Sequence, residues 1–249
     1  MKRTILTIII AVATAAGACA GILDSLSYQA RLGFHLGGTA PVGMPATIRS
    51  LDSYKIKDNM IVGIDAIKAF DRHWGMMVGL HYENKGMKTD ARVKNYKMEM
   101  RRSGETLAGV FTGNVVTNVE QWMMTVPVLA TYNLTPTLRL KAGPYLSLIM
   151  SNEFSGYAYD GYLRVGDPTG NKVELGKAVG ERGDYDFSDD MRGWNVGIDV
   201  GLDWTFAKRL GLFADITWGL NSIFVKDFDT IEQRLYPIYG SLGLTYRLK

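Results

Sequence analysis

Nine charged residues fall on one face of an alternating pattern: Arg31, Asp65, Glu83, Arg139, Lys141, Asp199, Asp203, Asp215 and Arg247. Carboxylates and cations in near-equal number point first to ion pairing, because a charge taken out of water needs a partner. His35 and His81 share that face, and Glu83 lies close to His81. Two imidazoles and a carboxylate approach a zinc-type ligand set. At these positions the imidazoles read instead as hydrogen-bonding partners of the charges, and no metal or other cofactor is expected. His73 falls in a turn and is expected to be solvated.

Catalysis would need a nucleophile, a base and an orienting acid within reach of one another. The chain has three histidines, and none stands beside a Ser-containing motif. The reading is non-enzymatic. Asp184-Tyr-Asp-Phe-Ser-Asp-Asp190 alternates oxygen ligands as calcium loops do. It lacks the Gly at position six and the Glu at position twelve, and reads as a solvated acidic loop. Lys85, Lys88, Arg92, Lys94, Lys97, Arg101 and Arg102 form a basic stretch against Asp90 and Glu99. Such a stretch suits anionic phosphates, those of lipopolysaccharide if it stands above a membrane surface, as basic segments suit anionic lipid elsewhere.

The elements that would position these groups are strands. Between Trp194 and Trp204, Val196, Ile198, Val200 and Leu202 alternate with Asn195, Gly197, Asp199, Gly201 and Asp203. Strand residues alternate faces, so one face is apolar and the other polar or tiny. Ten steps of about 3.3 Å, tilted about 40°, cover roughly 25 Å, the height of an outer-membrane apolar band.

The pattern recurs in eight segments, near 27–38, 60–70, 74–88, 119–134, 137–150, 192–206, 209–222 and 236–249. The connectors alternate between tight turns (71–73, 135–136, 207–208) and long loops (39–59, 89–118, 151–191, 223–235). Short periplasmic turns and long extracellular loops, with an even strand number, describe a bacterial barrel. Aromatics mark the strand ends on the apolar parity. Tyr28, Phe70, Trp74, Tyr132, Trp204 and Tyr246 fall at the periplasmic rim, and Tyr82, Trp122, Trp194, Trp218 and Tyr236 at the outer rim. Two girdles of amphipathic rings are expected at the two interfaces.

The fold class expected is therefore all-β: one eight-stranded, antiparallel, up-and-down transmembrane β-barrel. A soluble barrel of lipocalin type would need the apolar face inside. Rings at strand ends and a polar face rich in Gly and opposed charges favour the membrane. Eight strands leave an interior just wide enough for side chains, so the charged face is expected to plug the lumen.

The N-terminus agrees. Lys2 and Arg3, the apolar run 4–13 and Ala18-Cys19-Ala20 fit a cleaved signal peptide over residues 1–20, with the barrel domain over 21–249. The alternative makes Cys19 a lipidated first residue, though Ala16 replaces the Leu usual three places earlier. Cleavage removes Cys19, the sole cysteine, and lowers the formal charge from +3 to +1 by loss of Lys2 and Arg3. A near-neutral domain gives no sign of nucleic-acid binding.

Val126-Pro-Val-Leu-Ala-Thr-Tyr132, followed by Ala142-Gly-Pro-Tyr-Leu-Ser147, resembles a hairpin of the small outer-membrane barrels of Bacteroidetes, the porin-family or PorT-like proteins. Gly219-Leu-Asn-Ser-Ile223 and Leu242–Leu248 resemble the end of that family's penultimate strand and its closing strand. The resemblance implies a Gram-negative outer membrane location, contact with lipid and with the barrel-assembly machinery, and envelope protein partners. It carries no catalytic residues. Leu248 stands where an aromatic usually serves assembly, a role open to Tyr246.

Overall fold

The structure is a computed structural model that describes residues 26–248, except 44, 103, 232 and 233. The expected signal peptide, Cys19 and Lys249 lie outside the described residues.

Eleven strands form one antiparallel sheet: β1 (Leu26–Pro41), β2 (Ile48–Ile56), β3 (Met60–Ala69), β4 (Trp74–Arg102), β5 (Glu105–Asn133), β6 (Leu138–Val165), β7 (Lys172–Leu175), β8 (Gly183–Asp186), β9 (Trp194–Thr205), β10 (Leu210–Gly219) and β11 (Leu235–Arg247). Eight of them close a ring. β1 pairs with β3, then β3–β4, β4–β5, β5–β6, β6–β9, β9–β10 and β10–β11 follow, and β11 returns to β1. Closure leaves the ring no free edge. The expected eight-stranded barrel is the fold observed, with the tight turns around 71–73, 135–136 and 207–208 at one end.

The expected loops are largely strand. β4 and β5 each run 29 residues and β6 runs 28. A spanning strand needs only about 9–11 residues, so more than half of each stands beyond the ring. β2 occupies much of the expected 39–59 loop and pairs with β4 alone. β8 pairs with both β6 and β4, which draws the upper parts of β4, β5 and β6 around a second interior.

That interior is apolar. Met98, Met100, Phe111, Val115, Phe154, Leu163, Tyr185, Phe187, Ile223 and Phe224 are buried together. At the outer rim the inward positions of β4 carry Glu83 and Lys85, and above it Met87, Val93, Met98 and Met100. The inside changes from polar to apolar within one strand. A bulge between Val93 and Tyr96, with Asn95 at φ 55°, moves the inward parity from odd to even positions.

Outside the ring the apolar belt is laid bare. Leu32, Phe34, Ile64, Val200 and Ile216 are all more than half exposed. Burying such a band in water-free surroundings is what a membrane supplies.

Candidate functional site: a filled lumen beneath an apolar cap

At the short-turn end the lumen begins with Ile67, Met77 and Leu129, three buried side chains that touch one another. The ion pairs lie above them. The Arg31 guanidinium donates from Nε to Asp65 at 2.8 Å and from Nη1 to Asp215 at 2.9 Å. Lys141 Nζ bridges Asp203 at 2.6 Å and Asp215 at 2.8 Å. Gln29 donates to Asp65 and Asp203. His81 Nε2 lies 2.7 Å from Asp65, and its other ring nitrogen faces Glu83. Glu83 is 2.7 Å from Lys85 Nζ and 3.4 Å from His35. Neighbouring polar contacts thus run from Asp203 through Lys141, Asp215, Arg31, Asp65, His81 and Glu83 to Lys85.

Glycine makes room for the aromatic ring within this network. Gly33 and Gly243 are paired across β1 and β11. A Cβ on Gly33 would come within 2.8 Å of the Phe213 ring, and one on Gly243 within 2.6 Å. Phe213 therefore lies across the lumen at that level, fully buried. Its ring centre is 4.6 Å from the Arg31 guanidinium carbon and 5.5 Å from Lys141 Nζ. The ring face carries partial negative charge and supports both cations.

Of the charged residues identified in the sequence, Arg31, Asp65, Glu83, Lys141, Asp199, Asp203 and Asp215 are buried in the lumen. Asp199 Oδ1 is buried without a hydrogen-bond partner. Arg139 is part-exposed, 3.9 Å from Asp203. Arg247 departs from the expectation. Its Cα pairs with Gln29 at the open short-turn end, and its side chain is exposed to that mouth.

Lys85 is the clear correction. It was expected to reach lipopolysaccharide and is instead 4 % exposed, held by Glu83 in the lumen. Its parity is that of His81 and Glu83, and that signal was available in the sequence. Phe213, Tyr145 and Tyr239 were missed for the same reason. Tyr145 donates to Asn195 at 2.9 Å, and Lys85 Nζ stands 5.7 and 5.6 Å from the Tyr145 and Tyr239 ring centres.

Among the described residues no three His, Cys, Asp or Glu side chains converge as a metal site. His35 Nδ1 is occupied by Ser241 at 2.7 Å. His73 is exposed and stacks on Tyr132. The Asp184–Asp190 segment divides by alternation. Asp184 is paired with Arg182, and Asp186 accepts from Ser188, while Tyr185 and Phe187 enter the cap core. Tyr185 donates to the Val116 carbonyl at 2.8 Å. Burial pushes its phenol well above the usual value of 10.

The remaining basic residues are spread along β4. Lys88, Arg92, Lys94, Lys97 and Arg101 are exposed and Arg102 half-buried. Arg92 is 3.8 Å from Asp52. The rings expected in girdles lie outward: Trp74 packs edge-on against Tyr132 at 5.0 Å, and Tyr82 stacks on Trp122 at 5.2 Å. Phe70, Trp194, Trp204, Trp218 and Tyr246 are exposed, and Tyr28 and Tyr236 half-buried.

The family described as outer membrane protein beta-barrel domain matches residues 20–225, most of the chain. The chain belongs to that family. Its place is therefore the outer membrane, as an integral barrel. No curated protein matches it. Among solved structures it is similar to Ail, the attachment invasion locus protein of Yersinia pestis, in complex with the heparin analogue sucrose octasulfate. Identity there is 9 %, over 90 % of this chain and 97 % of that one, with a TM-score of 0.39. It is similar also to the outer membrane protein OprG of Pseudomonas aeruginosa, at 12 % identity over 89 % and 95 %, with a TM-score of 0.30.

Proposed function

We propose that this outer-membrane barrel is a non-enzymatic envelope protein with a shut lumen, acting through its extracellular cap. The observation that carries the reading is the unbroken polar contact chain from Asp203 to Lys85, with an apolar cluster at each end. Buried paired charges of this kind occupy the space that a diffusion pore would need. The exposed rings Trp74, Tyr82, Trp194, Trp204 and Trp218 anchor the barrel at the two interfaces.

The extracellular surface meets lipopolysaccharide on the outward face of β4 and β2. Lys88 is four residues above Asn84, whose partner is Trp122, so it stands roughly 10 Å beyond the ring of tryptophans. Lys55 pairs with Lys88 across β2–β4, and both are exposed. Like charges directly opposite repel, and a bound phosphate relieves that repulsion. Arg92 and Lys94 lie farther out, and Lys97, Arg101 and Arg102 near the tip of the β4–β5 hairpin reach beyond the headgroup layer.

The finer resemblance to PorT-like barrels of Bacteroidetes, carried by Val126–Tyr132 and Ala142–Ser147, supports a second reading as an accessory component of a secretion or uptake complex. Export through a cleaved 1–20 leader and folding by the barrel-assembly machinery belong to both readings. Outer-membrane fractionation with heat-modifiable gel migration tests the barrel. A crosslinked pull-down separates the readings: stoichiometric envelope partners favour the complex, and a lone barrel with bound lipopolysaccharide favours the first.

A further inference from the structure

A cavity of about 650 Å³ lies behind the β2–β4 ribbon, outside the lumen network. Ile48, Leu51, Tyr54 and Ile56 of β2 form one wall, and Met87, Thr89, Ala91 and Val93 of β4 form another. The third wall is the upper end of β1 and β11, with Leu36, Gly38, Ala40 and Ile238. Its size is that of a small-molecule site, and its lining is almost wholly hydrocarbon.

Two relationships say what such a site takes. Leu36 and Ile238 belong to the outward parity of their strands and are 42 % and 37 % exposed, so the cavity is continuous with the lipid-facing belt. Ile238 pairs with Trp218, and Ala40 pairs with Tyr236, which sets its floor at the outer ring of aromatics. A ligand here passes between the bilayer and the cap without crossing the lumen. The outer wall, β2, is held by a ladder on one edge only, with two register shifts. The Tyr54 hydroxyl ties that wall to the Gly37 carbonyl of β1. Met87 reaches the same place, its sulfur 2.7 Å from where a Cβ on Gly38 would stand.

We propose that this cavity binds a single hydrocarbon chain of the fatty-acid class, admitted from the outer leaflet beneath β2. The proposal rests on the outer-membrane orientation given above and names a ligand class for its cap. No lumen opening is involved.

The test uses the full-length barrel, refolded into phospholipid vesicles, with hexadecanoic acid carrying a diazirine in its chain. Photo-adducts are expected on peptides spanning residues 36–41, 48–56 and 87–93, and excess unlabelled hexadecanoic acid suppresses them. Adducts on the belt at Ile64 and Ile216 are not suppressed. Ala91→Trp fills the cavity and lowers the saturable adducts more than about tenfold, the factor expected when a few methylenes lose their buried place. Ile216→Ala leaves them unchanged. Heat-modifiable migration of each variant shows that the barrel is folded, so failure of the barrel itself is seen separately. Adducts spread evenly over the belt without saturation, or cavity adducts undiminished in folded A91W, overturn the proposal.

Discussion

Arg31 Nη1 lies 2.9 Å from Asp215 Oδ2 inside the lumen, joining β1 to β10 past the intervening β11, two strands that share no ladder. The same guanidinium holds Asp65 on β3. Arg31→Met leaves Asp65 buried without its guanidinium and Asp215 with Lys141 as its one remaining cation. Removing one member of a buried pair costs about 3–5 kcal/mol. Urea unfolding in vesicles is expected to show a loss of that order. R31M combined with Asp65→Asn is expected to recover part of it, and a variant as stable as wild type would remove the clamp.

Phe213 depends on the paired glycines facing it. Gly243→Val drives a side chain into the ring, and overpacking of this kind costs about 1–3 kcal/mol. A Cβ at 243 would also meet the β1 backbone at the Leu32 carbonyl oxygen and at Gly33 Cα, the latter 2.5 Å away, so Phe213→Leu in the same chain is expected to relieve only the ring's share of that cost. If the temperature of heat modification is unchanged by G243V, the ring does not lie where the Gly33–Gly243 pair places it.

Lys55 and Lys88 are expected to govern retention of lipopolysaccharide, and Lys85 to govern stability instead. K55E with K88E should lower the lipopolysaccharide that copurifies in low salt. Lys85→Gln should leave that amount unchanged while lowering the unfolding midpoint, because Glu83 loses its ammonium. Equal loss of lipopolysaccharide in both variants would contradict the assignment.

The cap is expected to open in alkali. The folded-state value of the Tyr185 phenol lies above its unfolded value near 10, because burial penalises the phenolate. The stability it contributes is complete below about pH 10 and is lost as pH rises through the folded value. Proteolysis of residues 183–191 should therefore increase above pH 10 while the barrel stays protected. Tyr185→Phe loses the bond to Val116, about 1 kcal/mol at neutral pH, and lacks this tyrosine's share of the transition.

The ring was legible because one rule holds along most of it, apolar outward and polar inward from Tyr28 to Tyr246, with Phe213 and the Ile67–Met77–Leu129 cluster as inward exceptions. The rule fails above the outer rim, where Met87, Met98, Met100 and Phe111 point inward and Lys88 and Arg92 outward. Polarity there no longer reports the same face, and bulges at Asn95 and near Gly113 shift the parity as well. Those segments therefore read as loops. Asp184–Asp190 shows the same inversion on a small scale, its acids outside and Tyr185 and Phe187 within. Lys85 has the inward parity of Glu83, and its charge resembles that of Lys88 and Arg92 although its face does not. The cavity behind β2 has no sequence signature, since it depends on how far the β2–β4 ribbon stands from β1.

Conductance measures the central claim most directly. The full-length barrel, inserted into a planar bilayer from the outer-leaflet side, is expected to give no unitary current steps. Stable open-channel currents from the wild-type chain would contradict a lumen closed by its own side chains.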